Sequence, residues 1–119
     1  MVALNKKTKG EEAKLSVDQE LAFRIRSRRN RLLGLWAASR MRMGDDACAE
    51  YANGIVSQGV ISANEELARL VVADLSARGI DESTDGVLQE LNRLDELARL
   101  ELGAADGIVQ AREDRVVGL

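Results

Sequence analysis

Between Leu21 and Met43 the apolar residues Leu21, Ile25, Leu32, Leu35, Trp36 and Met43 recur at spacings of mostly three, four and seven. That spacing puts them on one stripe of a helix with about 3.6 residues per turn. The pattern predicts a long first helix that opens with Ser16 or Asp18 as its cap. Asp18 and Glu20 then face the positive end of the helix dipole, and the helix runs to about Met43. At about 1.5 Å per residue it is ~40 Å long, more than a compact bundle of this size needs, so its front projects beyond the core. Trp36, an aromatic at helical spacing, reads as a core anchor. Gly34 lies inside the helix, at a cost of up to about 1 kcal/mol relative to alanine, which implies close approach of a neighbouring backbone or a slight bend.

Gly44 reads as the residue that stops this helix, and Asp45-Asp46 as the cap and acidic first turn of a short second helix. That helix covers about Asp46 to Gln58, with Ala47, Cys48, Tyr51, Ala52, Ile55 and Val56 as its apolar side. Gly59-Val60-Ile61 then reads as a link to Ser62-Ala63-Asn64-Glu65, a capping-box pattern that opens a third helix reaching about Arg78. Its apolar positions are Leu67, Leu70, Val71 and Leu75, and Gly79 closes it with Ile80 folding back in a Schellman end. A fourth helix is expected from about Thr84 to Leu102, through Val87, Leu88, Leu91, Leu94, Leu97 and Ala98. Periodicity fades on both flanks. Asn5, Lys6, Lys7, Thr8, Lys9 and Gly10 carry no apolar period, and residues 1–15 read as a mobile, disordered arm. Residues 103–119 place Ile108, Val109, Val116 and Val117 among charges and read as a frayed helix or tail. The expected fold class is all-α: a four-helix bundle-like domain over 16–102, with a long first helix and a mobile N-terminal arm.

Composition supports this reading and narrows the function. The 119 residues are 45% hydrophobic and 31% charged but only 3% aromatic, with no proline, so one modest core is built from aliphatic side chains on helices. A net charge of −3 argues against a nucleic-acid partner, which would also need stacking aromatics. Charge is segregated, however: Arg24, Arg26, Arg28, Arg29, Arg31, Arg40 and Arg42 crowd the first helix, a surface suited to an acidic partner. Cys48 is alone, so no internal disulfide forms; it reads as a buried small hydrophobe in a reducing compartment. No apolar run approaches the roughly 20 residues that span a bilayer, and no secretory-type hydrophobic region follows the first lysines. We expect a cytoplasmic protein without membrane insertion.

Catalytic chemistry finds little to work with. Without histidine and with one cysteine, zinc sites and histidine-dependent acyl transfer cannot be assembled, and carboxylates on amphipathic helices are mostly solvated faces. The expectation is no enzyme, no catalytic residue, no cofactor and no metal. Asp81 to Leu88 imitates the start of a calcium-binding EF-hand loop, but the twelfth position is Asn92 where a bidentate glutamate is required. A turn between helices with Ser83 as cap is the better reading. No Walker A loop occurs, so the one ligand left open is a weakly bound adenine nucleotide, its phosphate held among the arginines rather than by glycines.

One string is more specific than any of these. Arg28 to Ala38 reads RRNRLLGLWAA, and with Glu12-Ala13-Lys14, Asp18, Glu20-Leu21 and Phe23 it resembles the N-terminal signature of the zeta subunit of alphaproteobacterial F-type ATP synthases. Tyr51-Ala52, ELARLVVADLSARGIDES and LQELNRLDELA follow that family in order and spacing, so the resemblance covers about Glu12 to Ala98. It implies a four-helix regulatory subunit, monomeric when free, whose mobile N-terminal arm enters the catalytic head of the synthase and blocks rotation in the hydrolytic direction. Partner-binding positions on this view are Lys14, Phe23, Arg24, Arg28, Arg29, Asn30 and Arg31. The chain departs from the family in the lead-in. Where the family has an aromatic, acid-rich segment, this sequence has Leu4-Asn5-Lys6-Lys7-Thr8-Lys9-Gly10, which predicts weak inhibition. The alternative is a paralogous helical protein-binding module that has lost the inhibition.

Overall fold

The computed structural model of the chain describes the backbone of residues 2–118 and the side chains of residues 18–103. It is all-α, with α1 over Val2–Arg40, α2 over Asp45–Ile61, α3 over Asn64–Ala77 and α4 over Thr84–Gly118. The first helix packs most extensively on α2 and next on α4, while α3 closes the bundle against α4. Leu33 and Ala37 of α1 and Met41 just past its end meet Ile55 of α2, Leu67, Ala68, Val71 and Leu75 of α3, and Val87, Leu91 and Leu94 of α4 in one buried cluster. The apolar faces expected for the third and fourth helices are thus the ones that are buried.

The start of α1 differs from expectation. Its backbone continues from Val2 through Ser16 and Asp18, so neither residue caps a helix. Glu11, Glu12, Ala13, Lys14 and Leu15 ahead of them are mostly good helix formers, with no breaker between. The arm expected over 1–15 and the tail expected over 103–119 fall, except for Gly103, outside the described side chains.

The end of α1 also differs, and for a packing reason. The helix stops at Arg40 rather than near Met43, and the residue in the left-handed conformation is Arg42, with φ of 58°. The Met43 amide donates to the Ala38 carbonyl at 3.1 Å and the Arg42 amide to the Ser39 carbonyl at 3.0 Å, the paired bonds of a Schellman end. This turn lays Met43 against the core that Met41 already enters. Gly44, expected to stop α1, instead starts α2, accepting from the Cys48 amide at 2.8 Å, with Asp45 and Asp46 in the first turn.

The second helix is longer than expected because its glycine is a packing residue. Gly59 is buried inside α2, and a Cβ there would collide with the Asn30 side chain of α1. The segment 59–61 is therefore a last helical turn rather than a link. Ser62 then serves the end of α2: its amide donates to the Gln58 carbonyl at 3.0 Å, and its hydroxyl accepts from Gln58 Nε2 at 2.9 Å. The expected capping box does not form, and Ala63 starts α3 without a side-chain cap.

Gly34 bears out the expected close approach, for a Cβ there would lie 2.6 Å from the Ala52 Cα of α2. Gly79, with φ of 75°, closes α3 as expected, the Ile80 amide donating to the Leu75 carbonyl at 2.9 Å. Ser83 caps α4 by accepting from the Gly86 amide at 2.9 Å, so residues 81–88 make a turn and a helix start. Trp36 is a rim residue rather than a fully buried anchor: it is half-buried against the core, with the Arg40 guanidinium 5.1 Å from its ring centroid. Two positions of α2 depart from their expected burial. Ala47 is exposed, and Cys48 is half-buried with its thiol donating to the Met43 carbonyl at 3.3 Å.

Candidate functional site

Helical geometry sends the seven candidate docking positions of α1 in different directions. Successive residues are rotated by about 100° around the helix axis, so a run of arginines cannot share one face. Phe23 and Arg24 face solvent, Phe23 with 58% of its surface accessible. Arg28 is exposed but engaged, its Nε donating to Glu101 Oε2 of α4 at 2.8 Å. Arg31 is half-buried, and its Nη1 donates to Asn53 Oδ1 of α2 at 2.8 Å. The side chain of Lys14 lies outside the described residues.

Arg29 and Asn30 turn inward, with 7% and 1% of their surfaces accessible. The Arg29 Nε donates to Asn30 Oδ1 at 3.0 Å, Nη2 donates to Asn64 Oδ1 of α3 at 3.1 Å, and Nη1 lies 3.8 Å from Asp95 Oδ1 of α4. One guanidinium thus ties three helices together, and the Asn30 side chain fills the space that Gly59 leaves on α2. Burial lowers the pKa of Arg29; Asp95 opposes the shift, and Arg26 and Arg99 add to it. Arginine nevertheless keeps its charge at any physiological pH. Asp95 is shared, because Arg99 Nε also donates to it at 2.7 Å. A buried charge needs such partners, since losing one leaves an uncompensated ion inside. Arg29 and Asn30 are therefore withdrawn from the surface and act on the architecture. The sequence signal was present: Ile25, Arg29, Leu33, Ala37 and Met41 recur every four residues, with Asn30, Gly34 and Ala38 alongside.

Two surface residues, Val60 and Ile61, have no place in the sequence reading, and Arg26 belongs there to the arginine cluster but not to the docking set. Arg26 is exposed beside Phe23, and Val60 and Ile61 on the last turn of α2 have 61% and 80% of their surfaces accessible. Phe23, Arg26, Ser27, Val56 and Val60 surround a notch of about 70 Å³ floored by Asn30 and Gly59. Gly59 makes the segment 59–61 read as a link in the sequence, whereas in the structure it carries Val60 and Ile61 on the last turn of α2. Among the described residues, no cluster of His, Cys, Asp or Glu could hold a metal ion, and no helix is long and apolar enough to cross a membrane. The surface offers recognition: an apolar step with arginines around it.

A comparison with protein-family models finds that of the ATPase inhibitor subunit zeta, matching residues 1–101. The match extends the resemblance seen in the sequence from Glu12 back through the lysine-rich lead-in. Comparisons with the curated proteins and with the solved structures returned no match.

Proposed function

The chain belongs to the ATPase inhibitor subunit zeta family, and from that premise we propose that it binds the catalytic head of the F-type ATP synthase and inhibits ATP hydrolysis. The family match over residues 1–101 carries this reading. Such a subunit is regulatory rather than catalytic. It acts by binding one rotary state of the head more tightly than the others, and the binding difference sets how far hydrolysis is suppressed. The described bundle supports a division of labour. Arg29, Asn30 and the core fix the direction of α1, while Phe23 and Arg24 are the outward-facing members of the candidate set. Arg28 and Arg31, already engaged by Glu101 and Asn53, and Lys14, placed by sequence position alone, complete the candidate set.

The lead-in supports weak inhibition. Lys6, Lys7, Lys9 and Gly10 stand where an aromatic anchor and helix-favouring acids would add binding energy, and a glycine in a helix costs about 1 kcal/mol relative to alanine. The same observation favours the second reading, a paralogous protein-binding module that no longer inhibits. Co-purification of the tagged, full-length protein with the head of its own organism's synthase, followed by an ATP hydrolysis assay, separates the two. Association with partial inhibition is expected. Replacing residues 1–10 by an aromatic, acid-rich segment should raise inhibition several-fold, since each ~1.4 kcal/mol is tenfold in affinity. Association without inhibition by either version leaves the module reading, and no association at micromolar concentration removes the head as partner.

A further inference from the structure

Of the large apolar residues left exposed among the described ones, Phe23 and Val60 line one notch where α2 ends and α1 runs on, and Ile61 stands next to Val60 on the same last turn of α2. Scattered exposed apolar residues need no explanation, but a clustered set beside a notch does. We infer that this step is a docking site for an acidic amphipathic helix of the catalytic head, which inserts one aliphatic side chain into the notch between Phe23 and Val60. The inference rests on the proposed function and names a second contact for it, away from the arm.

The notch of about 70 Å³ suits a leucine- or methionine-sized knob rather than a small-molecule ligand, whose pockets run to about 300 Å³ or more. Its walls come from two helices that the buried Asn30 and Gly59 hold in contact, so the site is formed before a partner arrives. The charge of the partner follows from the arginines. Arg24 and Arg26 take part in no ion pair among the described residues. Glu65 and Glu66 share the neighbouring groove with Arg26, but the ion pair Glu65 makes is with Arg69, at 3.6 Å. Carboxylates flanking the inserted side chain would find these guanidinium groups ready. An apolar anchor with a charged fringe is the arrangement by which helices seat in grooves.

The test uses the full-length protein and the purified head. Val60→Glu and Ile61→Glu change exposed positions, so melting temperature and helicity should stay near those of the unaltered protein. Each should weaken binding to the head at least tenfold, whereas Leu100→Glu, equally exposed on α4, should leave binding unchanged. Ile61→Ser keeps the test intact where a glutamate variant loses its fold. Arg26→Ala should flatten the fall of affinity with added salt. Binding of the Val60 and Ile61 variants within twofold of the unaltered protein overturns the inference and leaves the proposed function standing. Failure of the unaltered protein to bind the head removes both. A dimer in sedimentation that Ile61→Glu dissociates makes the occupant a second copy, and also overturns it.

Discussion

Two glycines inside helices provide a sign test of the packing. Gly34 and Gly54 both sit mid-helix, and by propensity alone alanine at either should stabilise by about 1 kcal/mol. Their surroundings differ. At Gly34 the added Cβ would stand 2.6 Å from the Ala52 Cα, where ordinary contact begins at 3.4 Å, whereas at Gly54 it would meet nothing within 4 Å. The obstacle at Gly34 is backbone, which no rotamer change can move aside. Accepting alanine means parting α1 and α2 by the missing distance at their tightest point, across the buried core. Overpacking of this kind costs typically about 1–3 kcal/mol, so against the propensity gain the net effect of Gly34→Ala is a loss of up to roughly 2 kcal/mol. Gly54→Ala should gain roughly 0.5–1 kcal/mol. For a domain of this size these shifts correspond to about 4 °C per kcal/mol, downward for the first variant and upward for the second. Thermal and urea unfolding followed by circular dichroism read both. A Gly34→Ala protein stabilised as much as Gly54→Ala would refute the close approach and, with it, the reason given for a glycine in the middle of the signature string.

Tyr51 donates to Asp74 Oδ2 at 2.7 Å, and burial with this bond pushes its phenol above the ordinary value near 10. The neutral form is the one the fold favours, so stability holds below about pH 10 and is lost as pH rises beyond it. The slope should be less than the ~1.4 kcal/mol per pH unit of a fully shielded group, because the half-exposed ring is partly screened. Tyr51→Phe should remove that alkaline slope while costing about 1 kcal/mol at neutral pH, and an unchanged slope in urea titrations between pH 9 and 11 would assign it elsewhere. Trp36→Ala should cost about 2 kcal/mol, below the usual range for a fully buried tryptophan, because the ring packs on the rim under Arg40; unchanged melting would place the ring wholly outside the core. Millimolar calcium should leave the amide shifts of residues 81–92 unmoved, since the Ser83 hydroxyl already caps α4. Saturable shifts confined to that loop would reveal a cation site.

What the sequence made legible depended on how each contact is made. Leu67, Val71, Leu75, Leu91, Leu94 and Ala98 fill the core from helices whose neighbours lie at ordinary distance, so large apolar side chains mark the buried face and a periodic reading finds it. The α1–α2 contact works by absence. Gly34, Ala37, Ala38, Ala52 and Gly59 let the two backbones approach, and residues without bulk leave little signal in a pattern weighted by hydrophobicity. Leu32, Leu35 and Trp36, which dominate that pattern, flank the contact as half-buried residues instead. Helix ends were legible where a glycine adopts the left-handed turn, as Gly79 does, and not where an arginine does, as Arg42 shows.

The directions of the candidate side chains were illegible for a related reason: composition records charge but not direction. Arg28, Arg29 and Asn30 are consecutive, yet one reaches across solvent to Glu101 while the next two are enclosed among α2, α3 and α4. This changes what the signature string means. Of Arg28 to Ala38, the residues Arg29, Asn30, Leu33, Gly34, Ala37 and Ala38 are buried, so most of what makes the string recognisable specifies how α1 seats in the bundle. A chain could therefore retain the string entire and still lose its partner. On the proposed docking site, partner choice rests where the string thins out, at Phe23, Arg24 and Arg26 and on the last turn of α2, where substitution costs the fold little and a surface is free to change.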